Sequence, residues 1–374
     1  MLTSSYCDRI NRAWEKLAKR LATEQAPAGG WDGHLSASAL ATATAVSALA
    51  VARQAGIDSG GDIAAALAWL NKTQNADGGW GDTPDSPSNL PATLLVAACQ
   101  RLTGGRENSS TADFLAAHGA ASETAIVQTL RQLYGEDLTF AAPIIMNCSL
   151  AGMVAWQDVP ALPFELACAP RLLWRACNLQ VVSYAMPALI AIGIARHSRA
   201  PKGGWRSHLR ALAIKPSLIL LEEIQPASGG FLEAVPLTAF VCMSLVAAGE
   251  TTSVVLERGL RFLRQIQRPD GSWPIEVNLS LWLTSQALLA LAPNRGNTTA
   301  AALSDFDWAA ALARVFQAQH RGRHLYTAAP GGGWPWTDLP GGAPDVDDTA
   351  AALLGIAAWA DTPVSYTHLR AHET

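Results

Sequence analysis

The pattern Gln-x-x-x-Gly-x-aromatic occurs four times in this chain and limits its folds more than any other feature. The copies are Gln25–Gly29–Trp31, Gln74–Gly78–Trp80, Gln225–Gly229–Phe231 and Gln267–Gly271–Trp273. A repeat unit of about fifty residues fits, with degraded copies inside the long middle gap. A fifth, stretched copy runs from Gln319 to Trp334. Each copy ends a helix and opens a glycine-rich loop. Glycine there permits a left-handed helix cap. The Gln amide can bridge the helix end to the next turn, and the ring covers both.

Between the copies, apolar residues recur three and four positions apart, as in Ala37–Val51, Leu94–Leu102, Leu237–Ala248 and Leu279–Leu291. Alternation with a period of two is essentially absent. Gly/Pro-rich breaks such as Asp77–Gly81, Pro269–Ser272 and Pro340–Pro344 separate the helical segments. The chain therefore reads as all-α and built of helix pairs. Such pairs either stack into an open solenoid or curve until they close into a double-layered α/α barrel, or toroid. Fifty-residue pairs with glycine-rich joints favour the barrel.

Composition narrows the class further. Apolar residues make up 49% and charged residues 16%, which excludes a disordered chain. The formal net charge of −4 argues against nucleic acid as a partner, because phosphate binding needs a dominantly basic surface. The six cysteines show no CxxC spacing and read as reduced, mostly buried thiols of a cytosolic protein. The segment Met1–Gln25 reads as a basic amphipathic helix rather than a signal peptide. The longest apolar runs, Ala39–Ala52 and Tyr184–Ala195, fall short of the ~18 residues a membrane span needs.

The chemistry-bearing stretch is Pro344-Asp345-Val346-Asp347-Asp348-Thr349-Ala350. Pro344 precedes a helix start, and three carboxyls fall within four positions. Mutual repulsion and burial both favour keeping one carboxyl protonated. The helix N-terminus favours the conjugate base once the proton has left. Such an acid can hold a proton and then release it readily. Taken alone, the same residues also read as an N-cap, Asp345, followed by two first-turn acids. Aromatic faces that could stabilise a carbocation are available at Trp336, nine positions before Asp345, at Trp282, and at Tyr184. Each of the three also reads as ordinary core packing. His320 and His324 stand four apart with no acid or Cys at matching spacing, and read as solvated.

The repeats resemble the QW motifs of squalene–hopene and oxidosqualene cyclases, the class II terpene cyclases. The acidic stretch resembles that family's DxDDTA signature, and Gly332-Gly333-Trp334-Pro335-Trp336 resembles the aromatic loop before it. Gln225-Pro226-Ala227-Ser228-Gly229-Gly230-Phe231 and Leu281-Trp282-Leu283-Thr284 match in the same order. The resemblance implies an α/α toroid fold with one complete barrel at 22–250, similar to the family's N-terminal domain. It also implies an incomplete catalytic barrel at 1–21 and 251–361. The tail at 362–374 resembles translated sequencing adapter and is expected to be non-native.

By resemblance Asp347 is the proton donor, supported by Asp345 and Asp348, and Trp336, Trp282 and Tyr184 line the substrate cavity. Gln25, Trp31, Gln74, Trp80, Gln225, Phe231, Gln267 and Trp273 are structural. The reaction implied is protonation-initiated cyclisation of squalene or a related polyprene, with no metal and no cofactor. This 374-residue chain by itself is expected to be inactive, with further helix pairs needed to complete the catalytic barrel. Rivals are a class II diterpene cyclase acting on a prenyl diphosphate, a zinc-using protein prenyltransferase β-subunit, and a non-catalytic α/α-barrel binding protein.

A water-insoluble substrate makes peripheral, monotopic membrane contact chemically sensible. The stretch Leu166–Cys177 has an interfacial composition, and Arg196, Arg199, Lys202, Arg206 and Arg210 form a basic stretch nearby. That stretch reads equally as a solvated loop. A cytoplasmic, membrane-associated protein is the corresponding expectation, and a homodimer is compatible with it.

Overall fold

A computed structural model describes residues 4–169, 184–292, 306–325 and 327–359. Among them every regular element is a helix, with isolated bridges only between Ala37 and Pro274, Ala234 and Glu276, and Trp334 and Asp345. The α-helices are α1 (Ser4–Thr23), α2 (Ala39–Gln54), α3 (Ile63–Lys72), α4 (Leu90–Leu102) and α5 (Ser109–Ala117). They continue with α6 (Glu123–Tyr134), α7 (Leu138–Leu150), α8 (Met186–Arg199), α9 (Trp205–Ile224) and α10 (Val235–Ala248). The last four are α11 (Val254–Ile266), α12 (Ser280–Ala290), α13 (Trp308–Gln317) and α14 (Val346–Ala357). The fold is the α/α toroid that the repeats predict.

The chain forms two compact units, Leu35–Val277 and Met1–His34 with Asn278–Thr374. These boundaries differ from those expected at 22 and 250, and hydrogen bonds at the joints explain why. Trp273 donates its backbone N–H to Thr42 of α2 at 3.0 Å, which holds the segment before Val277 to the unit containing α2. Trp31 donates its backbone N–H to Thr284 of α12 at 3.2 Å, which holds the segment before His34 to the other unit.

The unit Leu35–Val277 is a closed ring. Its inner helix α2 packs against α4, α4 against α7, α7 against α8, α8 against α10, and α10 again against α2. These helices are buried nearly all round, and the smallest side chains sit where they approach one another. In α2 the run from Ala41 to Ala52 is entirely buried and consists of Ala, Thr, Val, Ser and Leu. Three of the inner helices start on capping side chains: Ser38, Asn89 and Asp137 accept from Ala41, Ala92 and Thr139. The outer helices α3, α5, α6, α9 and α11 lie against this ring. In α11 only Val255, Leu256, Gly259, Leu260, Phe262 and Leu263 are buried, the single apolar stripe of a surface helix.

The second unit repeats the same construction over fewer elements. α12 packs against α13 and α14. Trp31, Leu288, Leu291, Phe306, Leu312, Val315, Trp334 and Trp359 form its core together with Ala18 and Ala22 of α1.

The Gln–aromatic copies are the joints of both units. In each, the Gln side-chain N–H donates to the carbonyl of the loop glycine: Gln25 to Gly29 at 2.8 Å, Gln74 to Gly78 at 2.8 Å, Gln225 to Gly229 at 2.9 Å and Gln267 to Gly271 at 3.2 Å. The same amide reaches the start of another outer helix. Gln25 Oε1 accepts from the N–H of Asp307, the N-cap of α13, and Gln267 Oε1 accepts from the N–H of Asp62, the N-cap of α3. The indoles of Trp31, Trp80 and Trp273 donate back to the carbonyls of Leu21, Leu70 and Leu263 in the helix just ended. The stretched fifth copy has this geometry too: Gln319 donates to Gly332 and the Trp334 indole to Val315.

The joint requires its glycine twice over. Gly271 sits at φ +88°, and a Cβ there would lie 2.5 Å from the backbone of Ala65 in α3. Gly104 has a comparable φ of +84° but open space around it. Substituting Gly104 by Ala is therefore expected to cost about 1–2 kcal/mol, the left-handed penalty alone. Gly271→Ala is expected to cost at least twice as much, read as urea denaturation midpoints at unchanged slope.

Candidate active site

The acidic stretch begins α14. Asp345 is its N-cap, with extended backbone, and its carboxylate accepts from the N–H of Asp348 at 2.8 Å. Trp334 and Asp345 face each other in an antiparallel bridge, and Thr349 accepts from the Trp334 N–H at 3.0 Å. The acidic helix start is thereby tied to the preceding aromatic loop. Two residues further along that loop, the Trp336 carbonyl accepts from the N–H groups of Leu281 at 2.9 Å and Trp282 at 3.1 Å. Trp336 thus caps the first turn of α12, the turn that carries Trp282. Both indole-bearing residues are half-buried, and the Trp336 indole N–H is buried with no hydrogen-bond partner.

The loop is pinned on its other side as well. Thr337, fully buried, donates to Asn278 at 2.6 Å, and Asp338 accepts from the Ser280 hydroxyl at 2.7 Å. Asp345, Asp347, Asp348, Trp336 and Trp282 thus belong to two packed helix starts and the loop joining them. Tyr184 lies in the other unit and is exposed.

Burial of the three acids differs from what the sequence argument assumed. Asp348 is buried, Asp345 partly buried, and Asp347 exposed. Helix phase explains the difference. Asp348 shares a face with Ala351, Ala352 and Gly355, and a Cβ on Gly355 would lie 2.9 Å from the Ser285 carbonyl of α12. Asp347 shares the opposite face with Val346, Ala350, Leu353, Leu354 and Ala357, all exposed. That face is apolar apart from its acid, and no described residue covers it.

The histidines His320 and His324 stack edge to face at 5.1 Å beyond the end of α13. Among the described residues, no third His, Cys, Asp or Glu joins them in a metal-holding group. A cleft of about 460 Å³ in the same unit is lined by Gln25, Pro27, Gly29, Asp307 and Ala310, and by none of the acids or indoles above. Burial pushes the thiols of Cys99, Cys148 and Cys242 up to about 12, so they are inert, as their reading as buried thiols expects.

The basic stretch is largely engaged within its own unit. Arg196 is buried and donates to the carbonyls of Val159 and Gln157. Arg199 donates to Ala247, and Arg210 pairs with Glu165 at 3.0 Å. These three are structural cations rather than a free basic surface. Of Leu166–Cys177, residues 170–177 lie outside the described residues.

Fold and site together define a helix-pair toroid protein with an acid-bearing inner-helix N-terminus flanked by indoles. The family model described as squalene-hopene cyclase C-terminal domain matches residues 1–131. A terpene cyclase–glycosyl transferase fusion protein of Humicola fuscoatra is 31% identical over 176 residues, 45% of this chain and 12% of that protein. A protein named "Probable squalene--hopene cyclase" from Sinorhizobium fredii is 24% identical over 145 residues, 36% of this chain and 20% of the relative. Enfumafungin synthase of Hormonema carpetanum is 28% identical over 134 residues, 34% of this chain and 9% of the relative.

Over these stretches the chain is similar to class II terpene cyclases, the group that contains squalene–hopene cyclase. Each aligned stretch spans a fifth or less of the relative it matches. The family-model match includes the copies at Gln25 and Gln74 and stops well before the acids.

The cap is separable from any chemistry. Replacing Asp345 by Ala is expected to lower stability by about 1 kcal/mol, the usual loss for an N-cap, while Asp345→Asn leaves it nearly unchanged. Thermal unfolding of the two variants side by side checks this.

Proposed function

We propose that the protein serves protonation-initiated cyclisation of a polyprene, with squalene the leading substrate and Asp347 the proton donor. One observation carries the reading. The bridge from Trp334 to Asp345 and the Trp336 cap on α12 put three carboxyls and two indole-bearing residues on adjoining helix starts. A protonated carboxyl delivers the proton to a terminal alkene, and π-faces stabilise the cation that follows by ~2 kcal/mol or more when water is excluded. The α14 N-terminus favours the carboxylate left behind. Asp345 holds that first turn in shape through the Asp348 N–H.

Handing a proton from Asp347 to an alkene, with water kept from the cation that follows, requires cover over the face it shares with Val346, Leu353 and Leu354. The 374-residue chain incubated by itself with squalene is therefore expected to give no cyclic product. A protein in which this chain is joined to segments covering that face is expected to cyclise squalene, and Asp347→Asn to abolish the reaction. Product analysis with squalene, oxidosqualene and geranylgeranyl diphosphate in parallel separates the triterpene reading from the diterpene one. Cyclic product from the Asp347→Asn variant would remove Asp347 as the donor.

Contact with a lipid surface belongs to the same reading, because the substrate is insoluble in water. Its support is one face of α9, where Trp205, Leu209, Leu212, Pro216 and Ile219 recur at helical spacing and are exposed. Co-sedimentation with phospholipid vesicles is expected, and to weaken in a Leu212→Glu, Leu209→Glu variant. Equal recovery of variant and parent with the vesicles would discard α9 as the contact.

A further inference from the structure

The strongest unassigned feature of the unit Met1–His34 with Asn278–Thr374 is the guanidinium of Arg314. It lies on the outer helix α13, and its side chain is only 12% exposed. Its Nη2 donates to Asp32 at 2.7 Å, and its Nε donates to Asp338 at 2.9 Å. Asp32 immediately follows Trp31 in the first Gln–aromatic joint. Asp338 closes the loop that carries Trp336. The other oxygen of Asp338 accepts from Ser280, the first residue of α12, and the Asp338 N–H donates back to the Ser280 hydroxyl at 3.3 Å. The third guanidinium nitrogen, Nη1, is buried without a partner. It lies so close to Gly30 that a Cβ there would sit 2.7 Å from it and 2.6 Å from Thr284 Oγ1.

This arrangement exceeds what a surface ion pair needs. One planar cation joins two carboxylates from segments far apart in sequence, and one of those carboxylates is hydrogen-bonded to the start of an inner helix. The chain accepts a buried, unpaired Nη1 to obtain it, although such a group is costly to leave unmade. Rigid fork geometry lets an arginine bind the two carboxylates through different nitrogens, Nε and Nη2, whereas a lysine offers all its donors from one atom. The consequence falls on Trp336. Its carbonyl caps the α12 amides of Leu281 and Trp282, and Asp338 is the next anchored side chain beyond Thr337. Releasing Asp338 frees that end of the loop.

We propose that Arg314 is a positioning residue for the indole of Trp336: through Asp338 and Ser280 it fixes the loop that sets this ring at the starts of α12 and α14. The proposal rests on the cyclase reading only for what the ring does. The placement itself is measured without substrate, so the two fail separately.

The test uses the whole chain labelled with 5-fluorotryptophan. Trp336→Phe assigns the Trp336 fluorine signal, and Trp80 and Trp273 in the other unit serve as internal controls. Arg314→Gln is expected to shift and broaden the Trp336 signal and leave the controls in place. Amide exchange at Leu281 and Trp282 is expected to speed up at least about tenfold, since a charged hydrogen bond is lost. Arg314→Lys should give intermediate values, because it keeps one of the two pairings.

Should Arg314→Gln fail to fold, Asp338→Asn keeps Arg314 on Asp32 and is expected to move the same fluorine signal. An unchanged Trp336 signal with unchanged exchange at Leu281 and Trp282, in either folded variant, overturns the proposal. A shift spread equally over Trp80 and Trp273 also overturns it, because Arg314 would then be acting on global stability alone.

Discussion

A single amide holds this architecture together. A Gln side chain at the end of an outer helix donates to a glycine carbonyl in the next loop. It also reaches the start of a further outer helix, most directly where Gln25 and Gln267 accept from the N-caps Asp307 and Asp62. A helix start leaves backbone N–H groups without partners and a helix end leaves carbonyls. The amides of Gln25 and Gln267, each with a donor end and an acceptor end in one plane, serve both the loop glycine carbonyl and the start of the further helix, while at Gln225 only the donor end is engaged. The aromatic ring two residues beyond the glycine then covers the joint, and where it is Trp31, Trp80 or Trp273 its indole N–H returns to the helix it left. Outer helices can approach so closely only because the loop residue has no side chain.

The joints also determine which inner helix follows in space. At Trp80, Phe231 and Trp334 the threonine that accepts the ring residue's backbone N–H lies on the helix that follows in the chain: Thr93, Thr238 and Thr349. At Trp31 and Trp273 it does not. Trp31 donates to Thr284 of α12 and Trp273 to Thr42 of α2. The chain therefore leaves one unit after the first copy and returns after the fourth, so Leu35–Val277 holds the three middle copies in sequence while the other unit joins the first copy to the stretched fifth. A closed ring needs its last inner helix to meet its first. In Leu35–Val277 that meeting is α10 against α2, helices nearly two hundred residues apart.

The candidate site reuses the joint for another purpose. Trp334 is the ring residue of the stretched copy, and its partner Thr349 stands one helical turn after Asp345. A joint that elsewhere carries ordinary caps here carries three carboxyls, and the loop between ring and helix is long enough to hold Trp336 over α12. Asp345 and Asp348 serve the helix start. Asp347 lies on the free apolar face, where a carboxyl is of use to an organic substrate only when that face is covered.

The sequence by itself determined the all-α class, the repeat and its joints, because glycine, glutamine and an aromatic ring at fixed spacing allow few local structures. It also marked the acids and indoles, since Asp345, Asp347, Asp348, Trp336 and Trp282 are close to joint residues in the chain. It did not show that Asp348 rather than Asp347 is buried, since that depends on which face of α14 meets α12. Nor did it separate Arg196 and Arg314 from ordinary surface cations. Their partners, Val159 and Gln157 for one, Asp32 and Asp338 for the other, are brought near only by packing between helices. The residues at which the chain passes between the units, near His34 and Val277, were equally hidden, because only the tertiary structure decides which threonine a tryptophan's backbone N–H can reach.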